Sequence, residues 1–127
     1  MSITDSGSAL AFASQWINNW NSRDVEAVLS HFHEACRFES PLAKTYAGSS
    51  VISGKQDLRA YWISALGRIE TLRFDLETAV WDQGKRTLVV FYVAHLNGRI
   101  MRACEAMTFD PSGGQHTGRA YYGYVLD

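Results

Sequence analysis

Three segments of the chain carry apolar residues at helical spacing. In residues 8–20, apolar side chains recur every three or four positions: Ala9, Phe12, Ala13, Trp16, Ile17 and Trp20. A second segment follows Asp24, which favours the N-cap position, and its apolar face consists of Val25, Val28, Leu29 and Phe32. The third begins at a capping-box pattern of Ser53 and Gln56 and ends at Gly67. The pattern therefore predicts three helices.

The later part of the chain alternates between apolar and polar positions, which is typical of strands. Strands are predicted over residues 74–80, 87–96, 101–109 and 116–125, and a shorter one over 36–40 before Pro41. Asn97-Gly98 predicts a tight hairpin, because a type I′ turn needs positive φ at both positions. Residues 42–52 are predicted to form a loop. The predicted order is α-α-β-α-β-β-β-β, an α+β fold in which a curved sheet wraps around helices.

Length and composition favour one soluble domain spanning residues 1–127. The chain has 127 residues, of which 46% are hydrophobic, and a net charge of -1. This charge argues against a nucleic-acid partner, and no apolar run approaches the ~20 residues that span a bilayer. The first seven residues lack the apolar core of a signal peptide, so we expect a cytoplasmic protein with no membrane partner. Cys36 and Cys104 lack metal-ligand spacing and are expected to be reduced.

Glu105 interrupts an otherwise apolar face of the strand predicted at residues 101–109. Side chains two apart share a face of a strand, and this face consists of Met101, Ala103, Glu105, Met107 and Phe109. A carboxylate there must pair with a cation or become neutral through a raised pKa. Two interpretations follow: a structural carboxylate, paired with Arg99 or Arg119 or satisfied at the sheet edge, or a neutral acid that donates a hydrogen bond in acid–base chemistry.

Segments over nearly the whole chain resemble one known family. Residues 16–26 followed by Phe32 look like its opening helix pair, and residues 54–66 look like its third helix. Glu39-Ser40-Pro41 resembles a Glu-Asp-Pro motif on its first strand, and residues 105–110 and 119–123 look like its last two strands. The family is the NTF2-like (SnoaL-like) superfamily, which includes ketosteroid isomerase. The resemblance implies a cone-shaped α+β fold with three N-terminal helices packed on a strongly curved, mostly antiparallel sheet.

The resemblance also limits the reaction. The isomerase's oxyanion-hole tyrosine falls on Trp16, its aspartate base falls on Ser40, and its protonated aspartic acid falls on Glu105. Only Glu105 keeps the chemical type, so we do not expect a steroid isomerase of that kind. The superfamily contains isomerases, dehydratases, cyclases, epoxide hydrolases and binding modules, and fold alone does not choose among them.

The resemblance implies an apolar, aromatic pocket at the mouth of the cone. Its predicted ligand-binding residues are Trp16, Trp20, Phe38, Ser40, Tyr61, Trp62, Met107 and Tyr122. Such a pocket suits a small, hydrophobic organic ligand. The alternative is that these aromatic side chains simply fill a small core. Homodimers are common in the superfamily, and the weakly polar face containing Cys104 and Ala106 would suit pairing of two sheets.

Glu105 and His95 are the candidate catalytic residues. His95 would be the general base if it faced the pocket, but strand parity does not settle its face. None of the four histidines belongs to a metal-ligand motif, so we expect no metal and no cofactor. The sequence thus predicts a small-molecule-binding protein. It is either a cofactor-free isomerase, dehydratase or cyclase, or a non-catalytic binding or dimeric interaction module.

Overall fold

Residues 2–126 are described by the structure, a computed structural model, and form four helices and one six-stranded sheet. The helices are α1 (Ser6–Asn21), α2 (Val25–Leu29), α3 (Pro41–Ala47) and α4 (Lys55–Arg68). The strands are β1 (Phe32–Glu39), β2 (Val51–Ser53), β3 (Leu72–Asp82), β4 (Thr87–Leu96), β5 (Arg99–Phe109) and β6 (Gln115–Val125). The α+β class is confirmed, with one helix more than the sequence predicted.

The sheet has the order β2-β1-β6-β5-β4-β3. The β1–β6 pair is parallel and the other pairs are antiparallel. Strands β3 to β6 form a meander, and the predicted turn between β4 and β5 is confirmed, because Asn97 has φ 52° and Gly98 has φ 82°. Inward-facing side chains of the central strands and one face of the helices form the core.

Helix α1 presents its apolar face to the sheet. Its predicted face is buried, including Trp16 and Trp20. At its end, the Asn21 side chain bonds twice to the backbone of Phe74: Nδ2 donates to the carbonyl at 2.9 Å, and Oδ1 accepts from the N–H at 2.7 Å. Because β3 is an edge strand, this amide satisfies backbone groups that a neighbouring strand would otherwise pair. The two tryptophans are thereby held against the inner face of the sheet.

Helix α3 lies where a loop was predicted. Ser40 is its N-cap, and the hydroxyl accepts a hydrogen bond from the Leu42 N–H at 3.2 Å. Pro41 does not break this helix because the first helical position needs no N–H donor. Gly48 ends the helix in the left-handed conformation at φ 82°. The predicted loop is therefore wrong over residues 42–47, and residues 51–53 pair with β1 as β2.

The predicted ends of α4 are also wrong. Ser53 belongs to β2, and the N-cap is Gly54, at φ 89°, which makes no side-chain cap bond. Because Ser53 is the last residue of β2, it does not cap the helix, and the predicted capping box does not form. Gly67 lies inside the last turn, and Ile69 is the C-cap.

Two strands differ from their predicted patterns. Phe32, predicted on the second helix, begins β1, because α2 ends at Leu29. In β3 the register shifts between Leu76 and Thr78, which moves later side chains to the other face. Val80 is consequently 56% exposed rather than buried.

Candidate functional site

A cavity of about 60 Å³ lies between helices α1, α3 and α4 and the inner face of the sheet. This space admits a few water molecules, so a ligand larger than one small ring needs side-chain movement or protrudes from the opening. Seven of the eight predicted ligand-binding residues line it: Trp16, Trp20, Phe38, Ser40, Tyr61, Trp62 and Tyr122. These seven residues line the cavity, and their role in binding a ligand stays a prediction.

Aromatic rings in edge-to-face and tilted contacts form much of the cavity wall. Trp62 packs against Trp20 with ring centroids 5.0 Å apart and against Phe38 at 5.2 Å. On the sheet side, Tyr92 lies 5.4 Å from Trp16 and 4.7 Å from Phe74. Interlocked rings of this kind change rotamer only together, so they give the cavity a defined shape.

Glu105 is the acid of this cavity. It lies on the inward face of β5, opposite Val90 of β4 and Ala120 of β6, and is 4% exposed. Among the described residues its side chain makes no ion pair and no hydrogen bond. Arg119 instead lies 3.5 Å from Glu39. Burial raises the pKa of Glu105 to about 8, so the carboxyl group is mostly neutral at pH 7.

Gly118 makes room for the Glu105 carboxyl group. A Cβ atom at this position would lie 3.3 Å from Glu105 Oε2 and 3.2 Å from a ring carbon of Phe38. Glycine therefore allows the acid and the aromatic wall to approach the backbone of β6 together.

Three tyrosines share the cavity with Glu105. Burial raises the pKa of Tyr61 to about 12, and it also raises the pKa values of Tyr92 and Tyr122. A negative charge on Glu105 would raise all three tyrosine pKa values further. The Ser40 hydroxyl lowers the pKa of Tyr61 through a hydrogen bond, but by less than burial raises it. The three tyrosines are therefore neutral at pH 7, and Glu105 is mostly neutral.

The neutral groups can donate hydrogen bonds to a bound molecule. A neutral carboxyl group and a phenol each carry one O–H, and both are stronger donors where water is excluded. The chemistry available is therefore hydrogen bonding to an oxygen atom of a ligand or proton transfer to it.

A SnoaL-like domain profile matches residues 13–121, which is most of the chain. The chain belongs to the SnoaL-like domain family. This finding confirms the resemblance seen in the sequence. No functionally curated protein matches this SnoaL-like chain.

Solved structures support the same fold. A SnoaL-like protein of unknown function from Burkholderia thailandensis is 28% identical, with a TM-score of 0.83, and the match covers 98% of this chain and 100% of that one. SalBIII, described as an epoxide hydrolase/cyclase-like enzyme of pyran ring formation in the polyether salinomycin, is 17% identical with a TM-score of 0.73. That match covers 95% of each chain. A cystatin-like protein of unknown function from Methylobium petroleophilum is 16% identical with a TM-score of 0.74, covering 98% and 82%. The last two likenesses show the fold alone.

Two predicted site residues of this SnoaL-like domain do not line the cavity. His95 lies on the outer face of β4, where its Nε2 is 2.9 Å from Asp75 Oδ2 and 3.1 Å from Arg73 Nη2. It is paired with Ile100, and it cannot serve as the base for Glu105 from the other face. Met107 shares the face of Glu105 and is fully buried, but it packs in the core beyond the cavity.

Sequence reasoning missed three lining residues that carried a signal. Tyr92 lies on the inward parity of β4 together with Leu88, Val90 and Ala94, so strand alternation alone could have found it. Leu42 and Tyr46 are four residues apart on one face of α3. The Ser40-Pro41 start signal and the Gly48 end signal for that helix were present in the sequence.

Residues 2–126 contain neither a candidate membrane span nor a cluster of metal ligands. No helix in this part of the chain has the length and hydropathy needed to cross a membrane. Within the same described range, no group of three or more histidine, cysteine, aspartate or glutamate side chains could hold a metal ion.

Proposed function

We propose that this SnoaL-like domain binds a small, mainly apolar organic molecule in its aromatic cavity and uses Glu105 as a neutral acid upon it. The observation that carries the proposal is the position of Glu105. It is a buried carboxyl group that faces a cavity and makes no ion pair and no hydrogen bond among the described residues. A protein gains no stability from such a group, so a role toward a ligand is the reason we infer for it.

The reaction class that fits is cofactor-free acid catalysis. Glu105 would give its proton to an oxygen atom of the ligand, as happens at a carbonyl group during enolisation or at an ether oxygen during ring opening. Isomerisation, dehydration and cyclisation all contain such a step. The described cavity lining contains no lysine, arginine or histidine, so the base that removes a carbon-bound proton would be water or the ligand itself.

Hydrogen–deuterium exchange tests this step directly. Cyclopentanone in D₂O exchanges its α-hydrogens through the enol, which forms when a proton reaches the carbonyl oxygen and water removes a proton from the α-carbon. We expect the wild-type protein to accelerate exchange above the buffer rate, as followed by proton NMR. Glu105→Gln should remove the acceleration, because the amide keeps the volume but transfers no proton.

Glu77→Gln is the matched control. Glu77 lies 3.3 Å from Arg102 and is paired outside the cavity, so its loss should leave the exchange rate unchanged. An exchange rate in Glu105→Gln equal to that of wild type would contradict the catalytic role.

The second candidate function is a non-catalytic binding module. It is favoured by Ser40, which stands where the related isomerase has its aspartate base and which here caps α3. Binding of cyclopentanone without any accelerated exchange would favour this module over the enzyme.

We further propose that two copies pair through the outer face of the sheet. This face carries Phe91, 38% exposed, and Tyr121, 48% exposed, near the half-buried Cys104 and Ala106. Phe91 pairs with Cys104, and Cys104 with Tyr121, so the three lie side by side across β4, β5 and β6. Covering such a stripe would remove apolar surface from water.

A further inference from the structure

The polar groups around the cavity are mainly hydrogen-bond donors. The tyrosine hydroxyl groups come from three different elements: Tyr61 from α4, Tyr92 from β4 and Tyr122 from β6. Tyr92 is 1% exposed and Tyr122 is half-buried. Around Glu105 they bring hydroxyl groups together from opposite sides of the cavity.

Two further donors in the wall have no partner. The indole N–H groups of Trp16 and Trp20 are buried and make no hydrogen bond among the described residues. A buried N–H without an acceptor costs roughly 1–3 kcal/mol. A ligand oxygen that reached either indole after a small ring movement would recover that cost.

The charge around the cavity limits the ligand as well. The titratable groups lining it are Tyr46 of α3 together with Tyr61, Tyr92, Glu105 and Tyr122, and none of them is basic. An anionic ligand would therefore lose its hydration without gaining a cation. The same environment that keeps Glu105 protonated disfavours a carboxylate in the ligand.

We propose that the cavity selects an uncharged, one-ring ligand bearing a hydrogen-bond-accepting oxygen, such as a ketone, a lactone or a cyclic ether, and that Tyr122 and Tyr92 share that oxygen with Glu105. This inference rests on the proposed function, because it uses the same cavity, and it adds the ligand class and two specificity residues. The reacting oxygen would lie at the inner end of the cavity, and the hydrocarbon part would contact the aromatic wall.

Four probes with the same five-membered ring test the ligand class. They are cyclopentanone, methylcyclopentane, cyclopentanecarboxylate and cyclopentylammonium, each titrated at pH 7 and followed through the indole N–H signals of the protein by NMR. We expect the ketone to bind roughly tenfold more tightly than the hydrocarbon, which is the value of one hydrogen bond. We expect no binding of the carboxylate and weaker binding of the ammonium ion.

The outcomes separate this inference from the proposed function. Equal affinity for ketone and hydrocarbon would overturn the acceptor inference while the binding cavity stands. Tightest binding of the ammonium ion would also overturn it, by showing that Glu105 acts as the counter-charge of a cation. Failure of all four probes to bind would contradict the proposed function together with the inference.

Variants test the two tyrosines. Tyr122→Phe and Tyr92→Phe each keep the ring and remove one hydroxyl group, so each should reduce the preference for ketone over hydrocarbon while leaving hydrocarbon binding unchanged. Tyr121→Phe, on the outer face, is the control and should keep the full preference. An unchanged preference in both cavity variants would overturn the role of the tyrosines.

Discussion

At the scale of single residues, the neutral state of Glu105 links ligand chemistry to stability. Its pKa is about 8 in the folded protein against 4.5 for the free side chain. Between these values the folded state holds a proton that the unfolded state has released. As far as this group decides it, the free energy of unfolding is therefore highest below about pH 4.5 and falls as the pH rises to about 8.

We predict that the ionisation of Glu105 lowers the free energy of unfolding by about 1.4 kcal/mol per pH unit between about pH 5 and pH 8. Urea unfolding at a series of pH values measures the slope. Glu105→Gln should lose this component of the slope, since the amide does not titrate. The paired surface variant Glu77→Gln should keep it. Parallel stability curves for Glu105→Gln and wild type would contradict the raised pKa.

Gly118 gives a second test at this scale. In Gly118→Ala the new Cβ would press on Phe38, whose ring is held by Trp62, and on the Glu105 carboxyl group. We predict a loss of about 1–3 kcal/mol in the free energy of unfolding and weaker cyclopentanone binding. Gly67→Ala is the control, because no atom lies within 4 Å of its Cβ position and α4 surrounds it. That change should stabilise the protein by about 0.5–1 kcal/mol.

Glu105 could be predicted from the sequence, whereas the role of Gly118 could not. Side chains on a strand alternate between two faces with a fixed period, so the apolar residues on either side of Glu105 show that it lies on the buried face. The need for glycine at position 118 depends on side chains that β1 and β5 bring to β6. Only the assembled sheet shows that contact.

At the scale of elements, an arginine ties the end of α4 to the turn between α1 and α2. The Arg23 guanidinium donates to the carbonyl oxygens of Leu66 at 3.1 Å, Ile69 at 2.9 Å and Glu70 at 2.9 Å. These carbonyls lie at and beyond the last turn of the helix, where intrahelical N–H donors run out, and the Leu66 carbonyl otherwise accepts only the Ile69 N–H at 3.4 Å. Because Leu66 and Ile69 line the cavity, this contact also fixes its rim.

We predict that Arg23→Met lowers the free energy of unfolding by roughly 1–3 kcal/mol, because three carbonyl groups lose a charged donor. Arg23→Lys should recover little, since an ammonium group lacks the planar fork. Arg73→Met, which breaks an exposed pair with Asp75, is the control and should change the stability by less than about 1 kcal/mol. A loss no larger than that of the control would show that Arg23 does not hold the helix end. Chemical denaturation measures all three.

Helices α1 and α4 were predicted because each shows several turns of apolar periodicity. Helix α3 was missed although its Ser40-Pro41 start and Gly48 end are present in the sequence, because its seven residues show only one apolar pair at helical spacing, Leu42 and Tyr46. The shift in β3 that exposes Val80 was also missed, because a bulge leaves no trace in the alternation before it. Local signals thus predicted the long elements, and tertiary pairing decided the short and irregular ones.

At the scale of the whole molecule, the proposed homodimer predicts a change of mass on mutation. Phe91→Asp places a charge in the centre of the proposed interface and should give a monomer by size exclusion with light scattering. Ile63→Asp, at a site on α4 that is 57% exposed, should leave the dimer intact. A monomeric wild-type protein at high concentration would contradict the pairing.

The domain as a whole holds one buried acid in an aromatic cavity, and its protonation state decides what the cavity can do. The measurement that tests this most directly is the titration of the Glu105 carboxyl carbon by carbon-13 NMR, assigned by comparison with Glu105→Gln. We expect a midpoint at about pH 8, shifted further when cyclopentanone occupies the cavity. A midpoint near 4.5 that cyclopentanone does not move would contradict it.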